Sequence, residues 1–363
     1  MRLKELGATL FCLVLAPAIL ISLNGCSSAP ENSSSAASAA SGASTAATSP
    51  SVRGMYTTAP VTQPKIPPQV PASVMDLSKH PFLIVGEGCN IIYMVKGGKV
   101  VWTFQPPGKG EMDDVTQLSN GNILFSHQWY VMEITYPDGK VVWKYTCPPQ
   151  TEIHSTEPIG LDHVLVMRNG IPPELMLINI HTNKVEKQFT LQMVPNPTAK
   201  DIHAQVRHVR MTAAGTYLVP YLTLNKVCEY AADGKTIIWS YPFHDPWAAI
   251  RLNNGDTLIS GNQNRDVVEV NPAGQVVWQV TQADMPPGVV LRVIQEVDRL
   301  DNGDTVICNS SGHKLKLPQI IEVSPDKKVV WLVDEHTNIL ASGTSIQLLD
   351  QPGVPEKVGD QLR

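Results

Sequence analysis

The sequence has no excess of positive charge: 28 Lys and Arg stand against 33 Asp and Glu, a formal net charge of −5. Removing residues 1–25, which hold Arg2, Lys4 and Glu5, takes this to −6. So mild an acidity gives no basic surface for nucleic acid. Cysteines are few and none has C-x-x-C spacing. Cys89, Cys147, Cys228 and Cys308 sit in or beside predicted strands of different repeats. That scatter argues against a zinc site and for buried free thiols. A disulfide stays open, because spacing cannot pair them. No Gly-rich phosphate loop, Ser elbow or His-Glu-x-x-His helix occurs, and no cofactor is expected. A long apolar run is also missing: Ala8–Leu23, interrupted by Pro17, falls short of the about 20 residues a membrane span needs.

What the N-terminus does have is the layout of a secretory signal, with Arg2 and Lys4 ahead of the apolar run. The run ends in Leu23-Asn24-Gly25-Cys26, which resembles the lipobox of bacterial lipoproteins. The resemblance implies cleavage before Cys26 and a lipid on that residue, which would make the membrane its first partner. Ser27, where an Asp would signal inner-membrane retention, implies the outer membrane, facing the periplasm. Acyl carbons contribute about 0.8 kcal/mol per buried CH₂ to such an anchor. Residues 26–70 are dominated by Ser, Ala and Thr, then Pro. They lack the apolar mass to offset ordering entropy and read as a tether. The remaining residues, 71–363, are enough for one large all-β domain.

That domain repeats a phrase. Lys99-Val100-Val101-Trp102 returns as Lys140–Trp143, Lys235–Trp239, Gln275–Trp278 and Lys328–Trp331. Between the second and third copies lies a degenerate one, Lys184-Val185-Glu186-Lys187. Successive Trp residues are 41, 96, 39 and 53 residues apart, and the second interval holds two units. Each unit carries Asn-Gly-type or Asp-Gly-type hairpin signals, as at Asn120-Gly121, Asn254-Gly255, Asp138-Gly139 and Asp233-Gly234. Four short strands per unit and six units predict a six-bladed β-propeller. The third blade has Lys187 where the others have Trp, which should weaken packing there. The chain enters at Pro81–Val85, which reads as a second strand, and ends on Ser345–Asp350, which reads as a first strand without a blade. The expected solution is that the C-terminal strand completes blade 1, so that truncation after Thr337 opens or unfolds the ring.

The closing motif, Gly139-Lys140-Val141-Val142-Trp143 and its copies, resembles the repeats of the PQQ-like propeller superfamily. Ile250–Leu258, with Asp298–Val306 as its second copy, is similar to a subgroup that includes bacterial arylsulfotransferases. The resemblance covers about Phe82 to Asp350 and implies the fold far more firmly than any function. Quinone-dependent dehydrogenases and the barrel-assembly lipoprotein of the superfamily have eight blades, so six give little support for a bound quinone.

Aligning first strands on Leu118, Met211, Leu252 and Leu300 puts Arg210, Arg251 and Arg299 in one register, with Gln117 in blade 2. Such a ring could hold an anion; the reading preferred for a repeated residue is a scaffold bridge to the next blade's turn. Unrepeated polar residues near the starts of these strands are the better candidates: Asp113 and Asp114, His154 and Glu157, His203, Arg207 and His208, His244, Asp245 and Trp247, Arg292 and Glu296. The arylsulfotransferase resemblance, with its active-site His in the funnel, singles out His154, His203 and His208 as catalytic candidates. Asp114, Arg207, Arg292 and Glu296 are the ligand-binding candidates. His203 and His208, five apart, face opposite ways on a regular strand. The expected function is an envelope-anchored module binding a protein or a small anionic ligand in its funnel; the alternative is an arylsulfotransferase-like enzyme using His and Arg at the axis.

Overall fold

The Lys-Val-Val-Trp segments form the outermost strands of antiparallel sheets. A computed structural model of the chain describes residues 66–88, 90–310, 317–334 and 342–362. The expected signal segment, Cys26, most of the tether and Cys89 lie outside the described residues. The strands form six four-stranded sheets, the blades of an all-β propeller. The innermost strands are Ser345–Leu348 in blade 1, Val115–Gln117 in blade 2, Glu152–Ile159 in blade 3, Arg210–Met211 in blade 4, Pro246–Arg251 in blade 5 and Val293–Arg299 in blade 6. Blade 1 is closed as expected: Ser345–Leu348 pairs antiparallel with Phe82–Val85, in the register Phe82↔Leu348 and Ile84↔Ile346.

The phrase works through its Trp. A bulge in the pairing of third and fourth strands recurs at one place in every blade, as at Glu133/Ile134, Glu229/Tyr230 and Glu269/Val270. It lets the two β-branched residues before Trp face solvent, as Val141, Val142, Val276 and Val277 do, while the indole turns to the neighbouring blade. The indole N–H groups of Trp102, Trp239 and Trp278 donate to the carbonyls of Pro137, Pro272 and Pro325, one blade on. Trp331 donates to Asp76 O at 3.0 Å, so the chain just ahead of blade 1 receives the last Trp. Lys187 occupies the Trp place in blade 3, opposite Leu177. Phe189, two residues on, packs there instead: its ring lies 5.1 Å from that of Tyr217 and so close to Gly234 that a Cβ there would fall 2.3 Å from it.

Two segments outside the repeats add to the closure. Gln69 N donates to Pro287 O at 2.8 Å, and Val70, Val74 and Met75 pack on the apolar core between blades 5 and 6, so contact with the propeller begins within the predicted tether. After Leu348 the chain crosses the hairpin end of the axis. There Glu356 accepts from Ser119 N, Gly160 N donates to Glu356 O at 2.8 Å, and Gln361 Oε1 accepts from Asn253 N at 2.7 Å. Blades 2, 3 and 5 are thereby linked by one tail. The thiols of Cys147, Cys228 and Cys308 are free and buried.

Candidate functional site

The hairpin bonds set the true alignment of the first strands. Leu118, Leu252 and Leu300 each donate N–H across the turn, to Asn122, Asp256 and Asp304, at 2.8 Å; in blade 4 the residue doing so is Thr212, to Thr216 O at 2.9 Å. Thr212, not Met211, is therefore the equivalent of the leucines. Because strand side chains alternate, that one-residue shift puts Arg210 on the opposite face from Arg251 and Arg299. The expected ring of three equivalent arginines does not form. Arg251 and Arg299 bridge to the preceding blade's third strand, at Glu229 and at Glu269 (2.8 Å for the latter). Their guanidinium groups lie 5.4 and 4.9 Å from the ring centroids of Trp239 and Trp278. The scaffold reading holds for these two, with the partner on the preceding blade rather than in the next blade's turn.

Arg210 instead spans the axis. Its Nη2 lies 2.6 Å from Asp114 Oδ1 and 2.9 Å from Glu296 Oε1, joining blades 2, 4 and 6; Nη1 reaches Ser155 Oγ at 3.1 Å. Burial would raise the Asp114 carboxyl, but the Arg210 and His208 charges outweigh it and hold it below its ordinary value. Glu296 goes up, by burial and by the neighbouring Asp298 charge, so Asp114 is the firmer ionic partner. His208 is buried against this centre, Nδ1 3.7 Å from Asp114 Oδ1, and burial lowers its pKa. A guanidinium clamped between two carboxylates plugs the shaft.

Nearer the opposite end, where the first strands begin, a second cluster lies open to solvent. Glu152 Oε2 is 3.0 Å from His154 Nε2 and 2.8 Å from His203 Nδ1. The other nitrogens face carboxylates: His154 Nδ1 is 3.2 Å from Asp113 Oδ2 and 4.0 Å from Glu111 Oε2, and His203 Nε2 is 3.5 Å from Glu111 Oε1. His154 and Asp113 are wholly buried, whereas the His203 side chain is 45% exposed. Glu87 approaches Glu111 and Asp113. Arg207 lies 4.6 Å over the Trp247 ring and donates to His203 O. Trp129, exposed on the rim, donates to Lys109 O at 3.1 Å.

The electrostatics follow from four carboxylates in one pocket. Burial and the Asp113 charge push Glu111 up to about 7; burial raises Asp113 well above the carboxylate range. Burial, with the Arg207 charge, brings His154 down to about 4. The hydrogen bond to Glu152 raises His203. Burial would raise Glu152, but its bonds to both histidines outweigh that and hold it below its usual range.

Of the sequence candidates, Asp113, His154, His203, Arg207 and Trp247 meet here. Asp114, His208 and Glu296 form the interior plug with Arg210. Arg292 is half-buried elsewhere, its N–H on Asn309 Oδ1 at 2.8 Å. Glu111 and Glu152 were not singled out by sequence reasoning. Glu152 stands two residues before His154, but a bulge at Ile153/Ser155 interrupts the alternation between them, so spacing alone gave no signal for it.

No protein-family model matches the chain, and no curated protein matches it. Among solved structures it is similar to a protein of unknown function from Bacteroides caccae, with 26% identity over 74% of this chain and 97% of that one, TM-score 0.65. Looser likenesses are to the WD40 propeller domain of Doa1 (16% identity, 64% and 73% covered, TM-score 0.48) and to virginiamycin B lyase from Staphylococcus aureus (12% identity, 72% and 86% covered, TM-score 0.48). The solved structures it resembles are β-propellers, as the six sheets require.

Proposed function

We propose that this protein is a lipid-anchored binding module of the bacterial envelope, taking its ligand at the open axial end of the propeller. The anchor rests on Leu23-Asn24-Gly25-Cys26. The observation that carries the binding reading is the contrast between the two ends of the axis. One is crossed by the tail around Glu356 and plugged by Arg210; the other presents His203, Glu111 and Glu152 to solvent beside the Arg207–Trp247 shelf. This is a blind site rather than a channel. With Glu87, Glu111, Asp113 and Glu152 around it, the site suits a ligand that brings cationic or hydrogen-bond-donor groups, not the anion first expected. A photoreactive residue at Trp129, on the rim of this end, should form adducts that are lost in Glu111→Gln and His203→Ala. One at Val354, exposed in the tail, should form none; equal adducts from both positions would sink the reading. Cys26→Ser should abolish labelling by radioactive palmitate and release the protein from the outer-membrane fraction.

One observation favours an arylsulfotransferase-like enzyme: a half-exposed imidazole, His203, oriented by Glu152 and beside Arg207. Against it, a sulfuryl donor is an anion and would approach four carboxylates. Incubation with 4-nitrophenyl sulfate and phenol should release no more nitrophenol than His203→Ala does. Turnover that disappears in His203→Ala would restore the enzyme reading.

A further inference from the structure

The hydrogen bonds around Glu152 set the tautomers of both histidines. One carboxylate oxygen faces His154 Nε2 and His203 Nδ1, and a carboxylate only accepts. With neutral imidazoles, each of these nitrogens carries the proton. The remaining nitrogens, His154 Nδ1 and His203 Nε2, are then lone pairs. Both are turned on carboxylate oxygens, at the 3.2, 3.5 and 4.0 Å given above. Acceptors so crowded need a carboxyl proton or a cation between them. The charge of Arg207 is felt here, but its guanidinium stacks over Trp247 and donates to His203 O, and no hydrogen bond from it to these carboxylates is seen among the described residues.

From this geometry we infer that Glu111, His154 and His203, whose ligand atoms lie within 4.8 Å of one another, form a site for a divalent transition-metal ion, completed by Asp113 drawn in from beside His154, with Glu152 as the outer carboxylate that orients both imidazoles. Donor atoms about 2.0–2.2 Å from a common ion stand about 3–3.5 Å apart; Glu111 Oε1 and His203 Nε2 are at 3.5 Å and Asp113 Oδ2 and His154 Nδ1 at 3.2 Å, while the 4.0 Å between Glu111 Oε2 and His154 Nδ1 must shorten. An independent sign is a buried atom without a partner: Asp113 is wholly buried, yet its Oδ1 has no hydrogen-bond partner, nor has Glu111 Oε2. A carboxylate accepting N–H from the far side of a ligating imidazole is the usual support of such ions. Two imidazoles with two carboxylates select Zn²⁺ or Mn²⁺ over Mg²⁺ and Ca²⁺, which take oxygen-only sets. The inference rests on the binding reading above and narrows it: the cation that the four carboxylates call for is the ion itself.

The full chain, purified in detergent and stripped with EDTA, would be given Zn²⁺, Mn²⁺ or Mg²⁺ separately, and bound metal measured after gel filtration. One Zn²⁺ per chain is expected, with a higher melting temperature, and no retained Mg²⁺. Glu152→Gln should weaken Zn²⁺ by about 10–100-fold. The double variant Glu111→Gln/His203→Ala, altered only at partly exposed positions, should retain none while melting like the stripped wild type. His163→Ala, which alters an exposed pair with Glu186 on blade 3, should bind as the wild type does. Stripped wild type that melts cooperatively but retains no Zn²⁺, or a double variant that retains it fully, overturns the metal site. Adducts from Trp129 on a chain that retains no Zn²⁺ would leave the binding module standing while the ion falls, so the two failures are separable.

Discussion

At the scale of single residues, the most consequential side chain is Arg210. It is buried with Asp114 and Glu296, and a buried pair contributes little net stability but is costly to break from one side. Arg210→Met should therefore lose about 3–5 kcal/mol, read as a lower urea midpoint. Adding Asp114→Asn and Glu296→Gln should recover much of that loss, because no uncompensated carboxylate is left. A triple variant as unstable as the single one would mean that packing, not charge, sets the role of Arg210. The residue was legible in the sequence as a polar group in a first strand, but its neighbours were not. Blade 4 has Thr212 where blades 2, 5 and 6 have Leu, so Met211 passed for the turn anchor. A frame one residue wrong turns a side chain from the axis to the blade interface. His154 and His203 were visible as unrepeated histidines; that Glu152 joins them depends on a bulge at Ile153/Ser155 and on the short 3-10 turn Ile202–Ala204, neither of which has a sequence period.

At the scale of the element, blade 3 tests what the Trp phrase is for. Its outer strand, Lys184–Thr190, is exposed throughout except at Phe189. Phe189 has counterparts in Phe104, Tyr145 and Tyr241, each two residues after a Trp. The lost Trp therefore left a second aromatic in place, and the blade kept its pairing and its bulge. Phe189→Ala should cost about 3 kcal/mol or a little less, at the bottom of the range for a core Phe because this ring is partly exposed. Lys187→Trp should instead stabilise, by about 0.5–1.5 kcal/mol, if its indole finds the backbone acceptor that the other blades offer. Both are read by denaturant melts; a destabilising Lys187→Trp would show that blade 4 has no such acceptor. The sequence carried the phrase, the hairpins and the blade count plainly, because each is local and repeated. The tail of residues 351–362 has no repeat and no apolar period, so nothing in it announced that it would cross the hairpin end.

At the scale of the whole molecule, the ring depends on contacts between distant parts of the chain, and His80 is where several meet. Its Nδ1 is 2.8 Å from Asp350 Oδ2, its Nε2 is 3.2 Å from Glu322 Oε2, and its ring lies 5.1 Å from that of Trp331. One imidazole thus ties the entry segment to blade 6 and to the end of the closing strand. Burial alone would lower its pKa; the bonds to Glu322 and Asp350 outweigh it, so the folded value is raised above 6.5. A raised pKa means that the folded state holds the proton more tightly than the unfolded one. The stabilisation is fully present below pH 6.5 and is lost as pH rises through the folded value. The stability of the wild type minus that of His80→Gln should therefore shrink with rising pH across that window, and a pH-independent difference would exclude an ionic closure. Deleting the chain from Ser345 onward removes the closing strand itself. Ile346 and Leu348 are only 4% and 6% exposed, and burying such side chains is worth about 1.5–3 kcal/mol each. The loss, before the bonds of the tail are added, is then about 3–6 kcal/mol against a whole-domain stability of about 5–15 kcal/mol. It also frees both the edge at Phe82–Val85 and the Glu296 carboxylate that accepts from Ile346 N at 3.0 Å, so the damage reaches the plug around Arg210. The truncated chain should lose its cooperative melt, and the Ser345–Arg363 segment supplied as a separate peptide should restore it. A truncated chain that melts as the wild type does would show that five blades and three strands hold the ring unaided.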